Sequence, residues 1–155
     1  MLFRSILSGD KDFVQLHKYM NVKQYDPTRK KWIKVPNIDF YKFEHIVRGD
    51  GGDGIPNIRS GDDTFVTKGK QKPIYTKKLK EWYAIGDPLK FCDSEVEAAR
   101  FERNRALIDL DLIPEFVKIE TMSQYNEQKD KGRGQMFNYF LKSRLTRLME
   151  NINQF

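Results

Sequence analysis

Four aspartates stand where side chains of their type could hold a cation. Asp50 and Asp53 lie three residues apart inside Gly49-Asp50-Gly51-Gly52-Asp53-Gly54-Ile55-Pro56, and Asp10 and Asp12 lie two apart after an apolar run. Carboxylates at such spacing fit on one side of a tight turn and can share a hard ion. Two acidic pairs in a basic chain suit phosphodiester hydrolysis with two divalent ions about 4 Å apart, one activating water and the other stabilising the leaving oxygen. The glycines let bare backbone approach another backbone, such as a phosphodiester strand. On this reading the chain presents the glycine turn and its acids to nucleic acid.

Two other readings compete. Residues 49–54 also fit G-x-G-x-x-G, but the dinucleotide fingerprint needs a strand before it and a helix after it. Here residues 38–47 read as a helix, and Asp50 and Asp53 would repel a pyrophosphate. A plain surface turn stays open, because Gly and Asp are ordinary turn formers.

The elements that must position these acids follow from patterning. The 155 residues suffice for one ordinary domain, and 39% hydrophobic with 13% aromatic residues argues against wholesale disorder. Leu2, Phe3, Ile6 and Leu7 read as a buried parallel strand whose end carries Asp10 and Asp12. Asp12 caps a short helix over 13–19, with Phe13, Leu16 and Tyr19 facing inward. Residues 22–25 and 32–35 flank Asp26-Pro27-Thr28-Arg29 as a hairpin, made basic by Arg29, Lys30, Lys31 and Lys34. Asn37 or Asp39 caps the helix over 38–47. His17 and His45 each stand alone and read as packing or surface residues.

Lys68, Lys70, Lys72, Lys77, Lys78 and Lys80 follow the turn with no acid among them, which reads as a solvated face. Tyr75 and Trp82 offer surfaces that can pack under or beside a nucleic-acid backbone. A loop runs through Gly69, then a helix over 74–85. Ser94 or Asp93 caps a helix over 95–107. Asp109 and Asp111 alternate with apolar residues before Pro114, a core-packing pattern more than a metal site. A helix over 115–124 precedes a polar loop. Phe137, Phe140, Leu141, Leu145, Leu148, Met149 and Ile152 form the stripe of one final core helix.

Composition bounds the partners. Lys plus Arg number 28 against 22 acids, a net charge of +6, which favours a polyanion. Cys92 is the only cysteine, so disulfides within the chain and cysteine-based zinc sites are excluded, as suits a reducing cytoplasm. No stretch is long and apolar enough to span a membrane, and Met1 to Leu7 is too short for a secretory signal.

Ser8-Gly9-Asp10-Lys11-Asp12-Phe13-Val14-Gln15-Leu16 and the glycine stretch from Gly49 to Pro56 resemble the two acidic motifs of the 5′-nuclease (flap endonuclease) superfamily. The resemblance is closest to the T-even bacteriophage ribonuclease H branch. Leu16-His17-Lys18-Tyr19, Asn21-Val22-Lys23-Gln24, Lys30-Lys31-Trp32, Leu107-Ile108-Asp109-Leu110-Asp111 and Asn151-Ile152-Asn153-Gln154-Phe155 look like that branch in the same order. It is loose from Ser60 to Glu102.

The resemblance implies an α+β, mostly helical chain. Residues 1–36 would be the last strand and metal-site edge of a PIN-like α/β nuclease domain. Residues 37–155 would be a helical DNA-binding domain with a helix–three-turn–helix. It implies two Mg²⁺ ions, with Asp10, Asp12 and Asp53 as catalytic ligands and Asp50 beside them or acting through water. Gly51, Gly52, Gly54, Ile55, Arg59, Lys68, Lys70, Lys72, Lys77 and Lys78 would meet DNA. The implied activity is 5′-to-3′ removal of RNA primers and adjoining DNA in phage replication, in the host cytoplasm. Flap or fork DNA and RNA–DNA hybrids would be substrates; the phage single-strand-binding protein and sliding clamp would be partners.

The chain departs from that pattern. Family members carry further metal-binding carboxylates before the position of Leu2, so a C-terminal portion is expected: a truncated product, a fragment, or half of a split enzyme needing an N-terminal nuclease half. Many relatives read Asn-Ile-Pro-Gly where this chain has Gly54-Ile55-Pro56-Asn57. Their later glycine pair and Lys-Thr are absent after Ile58; Arg59, Ser60 and the later lysines would stand in for them.

Overall fold

The computed structural model describes residues 4–129 and 133–154, with backbone alone at 133 and 154. The described chain is mostly helical with one small sheet. Its contacts fall into two units, residues 1–113 and 114–155. Within the first unit, α1 (Ile38–Arg48) packs on the 3₁₀ helix Asp12–Lys18.

The sheet is ordered β1-β2-β3, from Arg4–Leu7, Val22–Asp26 and Lys31–Ile33. β1 runs parallel to β2, and β2 antiparallel to β3, with Tyr25 opposite Trp32. The Asp26 carboxylate accepts the amides of Thr28 and Arg29, each at 2.9 Å, which closes the hairpin expected there. Of the apolar run expected to be a buried strand, Leu2 and Phe3 lie outside the described residues. Leu7 is exposed and Ile6 half-buried, because β1 has one strand neighbour among the described residues.

The segment after β1 is a 3₁₀ helix, so its period is three residues per turn and it turns Val14 and Gln15 inward. Phe13 and Tyr19, expected inward on an α-helical period, are exposed.

α1 begins where Asn37 Oδ1 accepts the Phe40 amide at 2.8 Å. Its inward face, Ile46 and Val47 with Phe40 and Phe43, joins a core with Ile58 and Ile74. Leu79 and Trp82 of α2 (Thr76–Ile85), Phe91 of α3 (Pro88–Phe91), and Phe101 and Ile108 of α4 (Glu95–Ile108) complete it. Trp82 stacks on Phe91 at 5.4 Å. Trp82 is therefore packed in the core and does not offer its ring to a nucleic-acid backbone as expected: Leu79 and Trp82, three apart, share the inward face of α2. Ser94 caps α4 through the Glu97 amide.

The second unit contains α5 (Glu115–Gln128), α6 (Met136–Lys142) and α7 (Thr146–Glu150). The single final core helix is a correction. Arg144 adopts φ 54°, and the Leu145 amide donates to Phe140 O, which ends α6. Ser143 and Thr146 are weak helix formers, so little opposes the break. Phe140 is buried, whereas Phe137, Leu141, Leu145 and Leu148 are exposed.

Candidate metal and nucleic-acid site

The site begins where α1 ends. The last carbonyls of a helix have no partner within it. Here Val47 O accepts the Ile58 amide at 3.1 Å, and Ile46 O accepts Nδ2 of Asn104 at 3.0 Å. The same Nδ2 donates to Pro56 O at 2.9 Å. Asn104 is fully buried on α4, so one amide ties the helix end and the turn's exit to the core.

Between those ties the chain reverses. Asp50 and Ile55 exchange both backbone hydrogen bonds, at 2.8 and 2.7 Å, and the Gly52 amide donates to Asp50 Oδ1 at 2.9 Å. Gly51, Gly52, Asp53 and Gly54 are thereby held at an exposed tip. Gly49 has φ +65°, and a Cβ there would lie 2.3 Å from Ile55 O. Only glycine fits. Asn57 then fixes the outgoing chain: its Oδ1 accepts from the Arg59 amide and Ser60 Oγ, and its Nδ2 donates to Lys72 O at 2.8 Å.

The other acids arrive on the loop after β1. Gln24, fully buried on β2, donates through Nε2 to the carbonyls of Ser8 and Asp10, while its Oε1 lies 3.2 Å from His17 Nε2. Asp10 Oδ1 accepts the Asp12 amide at 3.0 Å. Gln15 donates to Ile108 O at 2.8 Å and accepts the Leu110 amide, which anchors the acidic loop to the end of α4.

Here the acids meet a residue that sequence reasoning set aside. His45 is 8% exposed and stands between Asp12 and Asp50. Its Nδ1 lies 3.4 Å from Asp12 Oδ1, and its Nε2 lies 3.2 Å from Asp50 Oδ2. One ligand atom from each of the three falls within 4.8 Å of the others. The helix carrying His45 leads directly into the turn, and that was the available signal.

Electrostatics separate the four acids. Asp12 is held above the usual carboxylate range by burial; His45 opposes this, while Asp10, Asp50 and Asp53 add to it. Asp50 behaves oppositely. Burial works against its ionisation, but the Lys11 ammonium at 2.6 Å, the Gly52 amide and His45 together hold it at about 2. Asp10 and Asp53 are exposed and lie outside the tight trio, though their charges reach Asp12.

Asp50 therefore stabilises the fold only while ionised. Its folded value is depressed from 3.8 to about 2, so the contribution is present above the unfolded value and is lost as pH falls toward 2. We expect that loss to be about 2 kcal/mol. Denaturant midpoints at pH 5 and pH 2 should fall less for Asp50→Asn than for the unmodified chain. Asp12 has the opposite sign: its raised value penalises the fold at neutral pH and relaxes as pH falls.

Asp12, His45 and Asp50 offer ligand atoms close enough together to hold a metal ion. Asp12 Oδ1 is buried and receives no hydrogen bond, and the neighbouring carboxylates surround it with negative charge. Asp50 is committed to the turn, with Oδ1 taken by Gly52 and Oδ2 by Lys11 and His45.

The basic residues divide in two. Lys68, Lys70, Lys72 and Lys77 are exposed. Arg59 instead lies 3.5 Å from Asp93 and 3.6 Å from Glu97, and Lys78 lies 3.8 Å from Asp93 and 4.9 Å over the Trp82 ring. Ile55 packs against the core. Asp109 and Asp111 are held by Lys42 and Lys18, away from the trio's ligand atoms. No helix among the described residues is long and apolar enough to cross a membrane.

Comparison with known proteins agrees with the resemblance noted from the motifs. Ribonuclease H of Enterobacteria phage T4 is 34% identical over 155 residues, which cover 97% of this chain and 51% of that protein. The chain thus spans about half the length of the curated relative it matches. A family model described as "T4 RNase H, C terminal" matches residues 35–155, most of the chain, and the chain belongs to that family.

Proposed function

We propose that this chain is the nucleic-acid-holding part of a Mg²⁺-dependent 5′-to-3′ nuclease that removes RNA primers and adjoining DNA in phage replication. The observation that carries the reading is the meeting of the two acidic motifs at the glycine turn, with one buried Asp12 oxygen left without a donor. Asp10, Asp12 and Asp53 are the proposed metal ligands. Asp50 holds the turn beside them. Bound divalent ions would supply an activated water and charge stabilisation for the leaving oxygen.

The chain's own residues do the rest. Gly51, Gly52 and Gly54 give a backbone strand of a duplex close access, and Lys68, Lys70, Lys72 and Lys77 draw the polyanion in. In the nuclease reading, residues 1–36 belong to a PIN-like domain and 37–155 to a helical domain with a helix–three-turn–helix. Further carboxylates from an N-terminal nuclease portion complete the ion sites. Flaps, forks and RNA–DNA hybrids are the proposed substrates. A single-strand-binding protein and a sliding clamp are proposed partners by family resemblance alone.

The commitment of Asp50 to Lys11, His45 and Gly52 favours a second reading, a duplex- or flap-binding module that leaves cleavage to another polypeptide. One experiment separates the two: cleavage of a 5′-labelled flap or RNA–DNA hybrid with Mg²⁺ and with EDTA, beside a gel shift on the same substrate. We expect the chain alone to bind with an affinity that weakens as salt rises and, once the N-terminal nuclease portion is supplied, to take part in cleavage that needs Mg²⁺ and is abolished in Asp10→Ala. Binding without cleavage would favour the module. Neither binding nor cleavage would overturn both readings.

A further inference from the structure

His45 joins two functions that the sequence keeps apart. One ring nitrogen faces Asp12, a proposed metal ligand, and the other faces Asp50, which closes the glycine turn. We infer that His45 is a positioning residue coupling the two, so that cation binding at Asp10 and Asp12 and duplex binding at the turn strengthen each other. The inference rests on the proposed function and adds to it a linkage between its two sites.

Three observations carry it. First, Asp12 Oδ1 receives no hydrogen bond, and the imidazole is its buried neighbour at 3.4 Å. A shift of the imidazole therefore changes the immediate surroundings of that oxygen. Second, Asp50 cannot shift alone. Its backbone makes both bonds to Ile55 and its Oδ1 holds the Gly52 amide, so displacing the carboxylate displaces the tip that would meet a strand. Third, the ring itself is braced. It is almost fully buried on α1, and the Tyr41 ring packs edge-on against it at 6.4 Å. A braced ring against both acids is one packed element through which a change at either can bias the other. Binding linkage is reciprocal, so the effect must show from both directions.

The bland reading is that a buried histidine merely fills space between two anchors. It predicts lost stability on substitution but no special loss of coupling. The test is fluorescence anisotropy of a dye-labelled DNA duplex with a 5′ single-stranded arm, titrated with the chain in EDTA and in saturating Ca²⁺. Ca²⁺ stands in as the hard oxygen-seeking ion. Ca²⁺ affinity is measured in turn by calorimetry, with and without the duplex. We expect each ligand to tighten the other by about fivefold or more, within the usual range of coupling between sites. His45→Gln should reduce that factor to near one while the duplex still binds in EDTA. Thermal unfolding of each variant reports whether it is folded. Should His45→Gln not fold, Tyr41→Leu, which removes the ring's brace from outside, should lower the factor. Tyr41→Phe should restore it.

Wild-type protein that binds both ligands independently would overturn the coupling and leave the proposed function standing. Folded His45→Gln that keeps the full factor would overturn the role of His45. Wild-type protein that binds no Ca²⁺, either alone or with the N-terminal nuclease portion supplied, would overturn the metal-dependent reading and the coupling together.

Discussion

Gly49→Ala is expected to destabilise the chain by at least about 3 kcal/mol, from left-handed strain and backbone overlap combined. The new Cβ would lie 2.3 Å from Ile55 O, 2.6 Å from Pro56 O and 2.7 Å from Pro56 C. These are backbone atoms on the chain leaving the turn, so no side chain can swing aside. Relief requires opening the Asp50–Ile55 pairing, which carries the acid and the tip with it. Gly54→Ala is the control within the same turn. Its φ is +75°, but nothing lies within 4 Å of the added carbon, so only the conformational cost of about 1 kcal/mol remains. Urea unfolding midpoints of the two variants should separate clearly. Equal midpoints would mean that the close approach at Gly49 is not what the turn depends on.

Asn104→Leu should cost about 3 kcal/mol although it replaces a buried polar group with an apolar one of similar size. The usual gain from burying a hydrocarbon is outweighed because two buried carbonyls, of Ile46 and Pro56, lose their shared donor. Both flank the turn. The variant should therefore also raise amide exchange at Asp50 and Ile55 more than at β2 and β3, which draw no support from this residue. Uniform exchange across both regions would show that Asn104 serves global packing only.

What could be read in advance was what local chemistry dictates. Asn37 and Ser94 announced their helices by capping, and Asp-Pro-Thr-Arg announced its hairpin, because each signal acts within a few residues. The acidic motifs were legible as motifs, and their pairing at one place is visible in the structure. The part played by His45 was not legible, since Asp12 reaches it only through tertiary packing. Its position one turn and a half before Asp50, on the helix that feeds the turn, was the overlooked clue. Trp82 was misjudged because the lysines around it drew attention to charge, while its spacing from Leu79 carried the true signal. The last helix failed for another reason. A continuous apolar stripe predicts a face, but it does not exclude a left-handed residue such as Arg144 that splits the face in two.

The long reach of two buried amides bears on how the acids come into place during synthesis. Gln15 bonds to Ile108 across 93 positions, and Asn104 bonds to Ile46 and Pro56 across 58 and 48. Contacts of such separation pay a loop-closure cost that local turns do not, and they form late. A ribosome adding about 5–20 residues per second would release Asp10 and Asp12 several seconds before α4 exists to anchor their loop. The acids are made well before the helix that anchors their loop, and they are fixed only after it. The nascent chain thus emerges with its proposed cation ligands unassembled, and they gather only when the helix that holds both amide ties has folded.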